Sequence, residues 1–205
     1  HEATARKAKP EWRPEGDVPA RLTGGTCVPY GLSTWGDLFT PRQLMALTTL
    51  SDLVREACQE VRRDARCAGL SDDDRPMREG GTGVAAYADA VGVYLGLGVD
   101  KATDYNTTLV AWSPTRDQAK GTFARQALPM VWDYAEVNQL AGAAGDFSVS
   151  LEGGVRFLEA SAVTAGGSAT QADAAVQSLS INKVVSTDPP YYDNIGYADL
   201  SDFFY

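Results

Sequence analysis

Apolar positions recur at helical spacing in two long stretches of the chain. From about Pro41 to about Arg66, apolar residues return every three or four positions and charged residues occupy the opposite side, so the pattern predicts an amphipathic helix. Thr40 precedes this stretch as a suitable N-cap, and Gln43 completes a capping box. The stretch from Val84 to about Asn106 is apolar over more of its circumference and predicts a second helix.

The later part of the chain has shorter periodic segments. Residues 117–126 predict a short helix, and residues 149–160 predict another despite two consecutive glycines. Beyond them follow a short strand ending near Asp173, a helix or turn at 174–179, and a short buried strand at 183–187. Such alternation is typical of βα units, which form a parallel sheet.

The composition is that of a globular protein. The chain has 205 residues, of which 44% are apolar and 22% are charged, enough for one packed domain or slightly more. Its cysteines, Cys27, Cys58 and Cys67, lack CxxC spacing and predict reduced intracellular thiols without a metal site. The single histidine, His1, excludes histidine triads and multi-histidine metal sites within the chain. No apolar stretch is long enough to cross a bilayer, so we expect a cytoplasmic protein without a membrane partner.

The formal net charge of −9 bears on nucleic-acid binding. A domain that binds DNA by itself normally presents a basic face, so this charge argues against a tight grip on the phosphate backbone by this chain alone. Basic residues do cluster within positions 6–13 and 55–66, but the pattern favours solvated surface at both places.

Spaced glycines occur at Gly96 and Gly98, inside the second predicted helix. A glycine-rich cofactor loop would follow a strand and be flanked by turn residues, and neither condition holds here. Small residues at positions 88, 92, 96 and 98 instead suit the close packing of one helix on another.

The candidate chemistry lies in the tetrapeptide Asp188-Pro189-Pro190-Tyr191, directly after the predicted strand at 183–187. A carboxylate at a strand end can accept a hydrogen bond from an amino group and draw its lone pair out of conjugation. Two consecutive prolines remove two backbone donors and fix two φ angles, so carbonyl oxygens face a pocket without a competing N–H. The tyrosine ring offers a flat face on which an extruded base can stack. The alternative is an ordinary turn after a strand, because Asp-Pro and Pro-Pro are strong turn formers.

Asp173 is the second acidic candidate. Ligands of open parallel sheets bind at the carboxyl ends of the strands, where both Asp173 and Asp188 would lie. One acid would then face an amine and the other a cofactor. For Asp173, capping of a following helix or turn is an equally good interpretation.

Three blocks of the sequence resemble those of large bacterial and archaeal adenine-specific DNA methylases. Members of that family carry a domain of unknown function, some carry a zinc ribbon, and some are associated with anti-phage gene clusters. The similar blocks occur in the same order and span most of the chain from about Tyr30. They are Trp35 to Leu44, Phe123 to Asp133 and Thr187 to Asn194.

The resemblance implies a methyltransferase that uses S-adenosyl-L-methionine (AdoMet) to methylate N6 of adenine in DNA. Asp188 and Pro189 would accept hydrogen bonds from the target amine. Pro190 would complete the rigid diproline, and Tyr191 would stack on the base. Asp173 would lie near the adenine of the cofactor.

The implied fold class is α/β, with a helix-rich segment and an incomplete Rossmann-like AdoMet-dependent methyltransferase sheet. Residues 1–39 would be an irregular N-terminal segment, 40–150 a helix-rich insertion, and 151–205 part of the catalytic domain, which ends with the motif. The family's AdoMet glycine motif and zinc-ribbon cysteines are missing, and the final residues are apolar. We therefore expect an internal fragment that is inactive by itself and self-associates through exposed strand edges.

Two other functions stay open on the residues alone. The same motif, or a variant that begins with asparagine, occurs in methylases of ribosomal RNA and of protein glutamine. A non-catalytic helical interaction module is favoured by the acidic charge and by the missing cofactor loop. Arg125, Trp132 and Asp133 are compatible both with a pocket lining and with ordinary packing.

Overall fold

The structure is a computed structural model that describes residues 7, 9–19, 27–123, 125–161, 167, 169–189 and 195–205. Its α-helices within these residues are α1 (Pro41–Cys67), α2 (Val84–Asp104), α3 (Phe147–Ala160) and α4 (Tyr197–Ser201). Its strands are β1 (Trp112–Ser113) and β2 (Gln118–Ala119), which pair antiparallel. Single 3-10 turns lie at Val28–Tyr30, Trp35–Leu38, Met77–Glu79 and Asp202–Phe204.

Helix α1 begins where the sequence predicts, at a capping box. The Thr40 backbone N–H donates to Gln43 Oε1 at 2.8 Å, and Thr40 Oγ1 accepts from the Gln43 N–H at 3.3 Å. Pro41 occupies the first turn, where its missing N–H costs nothing. The helix ends at Cys67, one residue beyond the predicted Arg66. Both the start and the extent of this prediction are confirmed.

Helix α2 packs between α1 and α3, and small residues make the close approach possible. A Cβ added at Gly98 would lie 2.6 Å from Cδ2 of Leu151 on α3. A Cβ added at Gly92 would lie 2.7 Å from Sγ of Cys58 on α1. The interpretation of the glycines as helix-packing residues is therefore confirmed at these two positions. Gly96 has nothing within 4 Å of its added Cβ and needs another explanation.

The helix predicted at 117–126 is wrong, and a tight reversal replaces it. Asp117 adopts a left-handed backbone conformation with φ of 51°, which cannot propagate a right-handed helix. The chain turns back there, so that Trp112 of β1 lies opposite Ala119 of β2. The Lys120 N–H then donates to the Ala111 carbonyl at 2.8 Å and extends the pairing.

The main apolar core joins stretches that are far apart in the sequence. Phe203, only 8% exposed, lies with its ring centroid 6.3 Å from Trp35, 5.7 Å from Phe39 and 5.0 Å from Phe123. The other buried members of this core are Val18, Cys27, Leu38, Leu109 and Leu128. Residues from all three predicted segments, 1–39, 40–150 and 151–205, therefore meet in one cluster.

The strands predicted near Asp173 and at 183–187 are wrong for the described residues. Residues 184–189 follow an irregular path, and Val184 is 101% exposed where a buried strand was expected. A strand is stabilised by a neighbour that accepts and donates its ladder of hydrogen bonds. The only sheet within the described residues is β1–β2, which does not include this segment. The fold is accordingly helix-rich with one small two-stranded sheet.

Candidate functional site

The predicted catalytic motif is partly within the described residues. Asp188 and Pro189 lie exposed at the end of the irregular segment 184–189. Pro190 and Tyr191 lie outside the described residues. Among the described residues, none forms a hydrogen bond or ion pair with the Asp188 carboxylate.

Asp173 has a local structural partner. Its Oδ1 accepts from the Ala175 N–H at 2.8 Å, and its carbonyl oxygen accepts from the Gln177 N–H at 3.0 Å. These are the contacts of a residue that caps a turn, which is the alternative interpretation of Asp173 from the sequence. The side chain is exposed, and its role near a cofactor stays a prediction.

The two acids were expected at neighbouring strand ends. Neither lies at a strand end, because the described residues from 169 to 189 contain turns and irregular backbone only. The segment is held by short-range bonds, such as the one from the Lys183 N–H to the Ser180 carbonyl at 3.1 Å. Its apolar side chains face solvent; these are Val176, Leu179, Ile181, Val184 and Val185.

A groove of about 1230 Å³ lies elsewhere on the molecule. Its walls are the first half of α1, the end of α2, residues 9–15 and residues 202–205. Asp173 and Asp188 are not among its lining residues. We call this hollow the aromatic groove because of the rings in its walls, which are those of Trp12, Trp35, Phe39, Phe203, Phe204 and Tyr205.

The aromatic groove has an excess of negative charge. Five carboxylate side chains and two basic side chains line it. One base, Arg55, is already paired with Asp52 at 3.0 Å. Asp100 is half-buried, and this burial raises the pKa of its carboxyl above the ordinary value. No described residue forms a side-chain hydrogen bond or ion pair with the Asp100 carboxyl.

The residues whose role the sequence left open are all on the surface. Arg125 and Asp133 are exposed, and Trp132 is 80% exposed. The Trp132 ring makes an edge-to-face contact with the Tyr30 ring, at a centroid distance of 5.0 Å and an interplanar angle of 73°. Within the resemblance block from Phe123 to Asp133, the Leu128 side chain is fully buried. Ordinary core packing is therefore excluded for Trp132.

The basic cluster at 55–66 is solvated and locally neutralised, as the sequence predicts. Its arginines pair with nearby acids: Arg62 with Asp89, Arg63 with Glu60 and Arg66 with Asp72. Pairs of this exposure contribute little to stability, but they remove positive charge that a phosphate backbone would need.

Comparisons with protein-family models, with curated proteins and with solved structures returned no match for this chain. The described helices include none that is long and apolar enough to cross a membrane. The functional assignment therefore depends on the motif and on the surfaces described above.

Proposed function

We propose that this chain carries the amine-polarising motif of an AdoMet-dependent methyltransferase acting on N6 of adenine in DNA. The observation that carries the proposal is the Asp188 carboxylate, exposed, without a partner among the described residues and followed directly by Pro189. The two residues that follow Asp188 are prolines without a backbone N–H, so they cannot occupy its carboxylate as the Ala175 N–H occupies that of Asp173.

The chemistry follows from the functional groups. Adenine N6 donates hydrogen bonds to the Asp188 carboxylate and to the Pro189 carbonyl, which draws the nitrogen toward tetrahedral geometry and frees its lone pair. The lone pair then forms a bond to the methyl carbon that AdoMet supplies, and the carbon–sulfur bond breaks. The methylated nitrogen loses its proton afterwards, so no strong base is needed beforehand. Orientation and exclusion of water supply most of the acceleration.

The first and second resemblance blocks meet in one core, which supports their belonging to one functional unit. Trp35 and Phe39 belong to the first block, Phe123 to the second, and all three contact Phe203. Phe203 follows the third block, which contains Asp188, by a short length of chain. The motif is thus tethered to a core that the other two blocks build.

The remaining parts of the proposal concern the complete enzyme. Residues 183–187, which form no strand in this structure, would need neighbouring strands in order to join a Rossmann-like sheet, and Asp173 would then lie near the cofactor. Pro190 completes the diproline, and Tyr191 stacks on the flipped adenine. DNA is held mainly by surfaces outside this acidic chain.

The test is methyl transfer from labelled AdoMet to DNA by the protein at its natural full length. Asp188→Ala is expected to lower the rate by at least about a hundredfold, because orientation and polarisation of the amine are lost. Binding of AdoMet, measured by calorimetry, is expected to survive. Glu159→Gln, which removes an exposed carboxylate on α3, is the matched control and should keep the wild-type rate.

Substrate controls distinguish a DNA adenine methyltransferase from methyltransferases that act on RNA or on protein glutamine. DNA whose adenines already carry an N6 methyl group should accept no label, whereas unmethylated DNA should accept it. Label appearing in RNA or in protein glutamine, and not in DNA, would identify a different amino-methyltransferase. Wild-type rates from Asp188→Ala would refute the role of the motif.

A non-catalytic interaction module is the second candidate. It is favoured by the position of the aromatic groove, whose lining includes neither Asp173 nor Asp188. This alternative requires that the full-length protein bind no AdoMet in the same calorimetric experiment. Binding of AdoMet would exclude it.

A further inference from the structure

The aromatic groove has a size and shape that suit a chain segment. Its volume of about 1230 Å³ exceeds the roughly 300–1,000 Å³ of typical small-molecule pockets. It is lined by residues 9–15, by the first half of α1, by the end of α2 and by residues 202–205. A groove open along several elements admits an extended peptide, which a closed cavity does not.

The walls of the groove provide flat aromatic faces at solvent-accessible positions. Trp12 is 56% exposed and Phe204 is 44% exposed, although both are large apolar side chains. Phe204 is held in place by contacts with Phe203 and Phe123, at centroid distances of 4.9 and 5.6 Å. Exposed rings on a fixed backbone offer stacking surfaces for planar or cationic groups.

Asp100 gives the groove its most unusual charge. It is half-buried near the end of α2, and it also lines an adjoining hollow of about 340 Å³ that it shares with Phe204. Its carboxylate has no partner among the described residues, and a positive group that enters the groove can pair with it. A carboxylate held without a partner beside aromatic rings is favourable for a cation and unfavourable for an anion.

We propose that the aromatic groove binds an extended, arginine-rich segment of a partner protein. Arginine fits this groove better than lysine, because the planar guanidinium stacks on aromatic faces while it donates two parallel hydrogen bonds to a carboxylate such as Asp100. The excess of carboxylates over bases in the walls complements such a segment along its length. The site is separate from Asp188 and does not depend on the methyltransferase proposal.

The test is binding of a fluorescein-labelled peptide in which arginine and glycine alternate, followed by anisotropy with the complete chain. Physiological salt is used, because it screens non-specific attraction to an acidic protein. A peptide with citrulline in place of arginine has nearly the same shape without the charge, and it is expected to bind at least about tenfold more weakly.

Variants of the protein locate the binding. Asp100→Asn should weaken binding about tenfold and Trp12→Ala about fivefold, since each removes one partner of a guanidinium. Matched controls lie outside the groove: Glu159→Gln makes a similar charge change, and Trp132→Ala removes a similarly exposed tryptophan. Both controls should change binding by less than about twofold. Asp100→Asn is expected to fold normally, because burial already disfavours the ionised carboxyl.

Each other outcome overturns the proposal. Equal effects of Asp100→Asn and Glu159→Gln would show that only net charge attracts the peptide. Equal binding of the citrulline peptide would exclude recognition of a cation. Spermine that binds as tightly as the peptide, with the same loss in Asp100→Asn, would make the ligand a small polyamine. Absence of peptide binding at millimolar protein would exclude the site altogether.

Discussion

Asp146 is a buried acidic side chain whose carboxylate accepts several hydrogen bonds. It is 1% exposed, and its carboxylate accepts from the N–H groups of Gly142 at 2.8 Å, Ser148 at 2.6 Å and Val149 at 3.3 Å. Burial by itself would raise the pKa of Asp146, but the Ser148 hydroxyl and these N–H groups outweigh it and hold the pKa below its ordinary value. The side chain thereby satisfies N–H groups at the start of α3 that would otherwise be unpaired.

Asp146→Ala should destabilise the fold in a pH-dependent way. At pH 7 we expect a loss of about 1–3 kcal/mol in the free energy of unfolding, because buried N–H groups lose their acceptor. The pKa in the folded state is lower than the unfolded value of about 3.9, so the carboxylate stabilises the fold above that pH and less as the pH falls through the folded value. Urea unfolding at a series of pH values should therefore show the deficit of the variant narrowing below about pH 4.

Asp173→Ala is the natural comparison, since this side chain accepts one N–H bond in an exposed turn. Its removal should change stability by less than about 0.5 kcal/mol at any pH. Equal losses from the two variants, or a deficit of Asp146→Ala that grows in acid, would contradict the capping role of Asp146.

The sequence contains the signal for this cap, although the predicted helix started at residue 149 instead of Phe147. An aspartate directly before a helical pattern is a common N-cap. Thr40 was recognised because Gln43 stands three residues later and Pro41 follows it, whereas Asp146 has no such companion. A single capping residue is predictable from sequence when neighbouring residues, such as a proline at the first helical position or a glutamine three residues later, also indicate a helix start.

Among the elements, the three long helices were predictable, whereas the short helix α4 and the strands were not. Helices α1, α2 and α3 each agree with the prediction at one end and differ from it by one or two residues at the other, because helical spacing and capping are local properties. The pair β1–β2 was missed, since two-residue strands carry no periodic pattern. The strand predicted at 183–187 depended on a neighbour that local sequence does not reveal.

Helix packing gives a prediction at two glycines of α2. Gly96→Ala should stabilise the protein by up to about 1 kcal/mol, because alanine favours a helix and nothing lies within 4 Å of the added methyl group. Gly98→Ala should be less stable than Gly96→Ala by about 1–2 kcal/mol, since Leu151 and Phe147 of α3 must move. Thermal unfolding followed by circular dichroism compares the two directly. A similar gain in both variants would show that α2 and α3 are not closely packed at Gly98.

At the scale of the whole molecule, the core could not be deduced from the sequence. Nothing local indicates that Phe203 would contact Trp35, or that Leu109 and Leu128 would join the same cluster. The apolar residues at 203–205 suggested only an interrupted pattern. Likewise, the motif could be found at Asp188, but its position relative to Asp173 and to a binding cavity depends on contacts between distant segments.

Phe203→Ala should destabilise the whole fold by about 3 kcal/mol or more, because a buried phenylalanine is lost from the centre of the core. Urea unfolding followed by tryptophan fluorescence measures this, and Trp35 in the core reports the change directly. Phe157→Ala on α3, where the side chain is 65% exposed, is the control and should cost less than about 0.5 kcal/mol. Equal midpoints for the two variants would mean that the contacts of Phe203 do not hold the fold together.

The structure of the segment before Asp188 depends on whether a neighbouring strand covers its exposed valines. Val184 and Val185 favour a strand intrinsically, yet their side chains lie in water, so the segment would gain apolar burial by pairing with a neighbouring strand. A carboxylate at the end of such a segment acquires a fixed position only once that pairing occurs. Under the proposed function, methyl transfer would then require that a neighbouring strand pair with this segment, in addition to the binding of substrate.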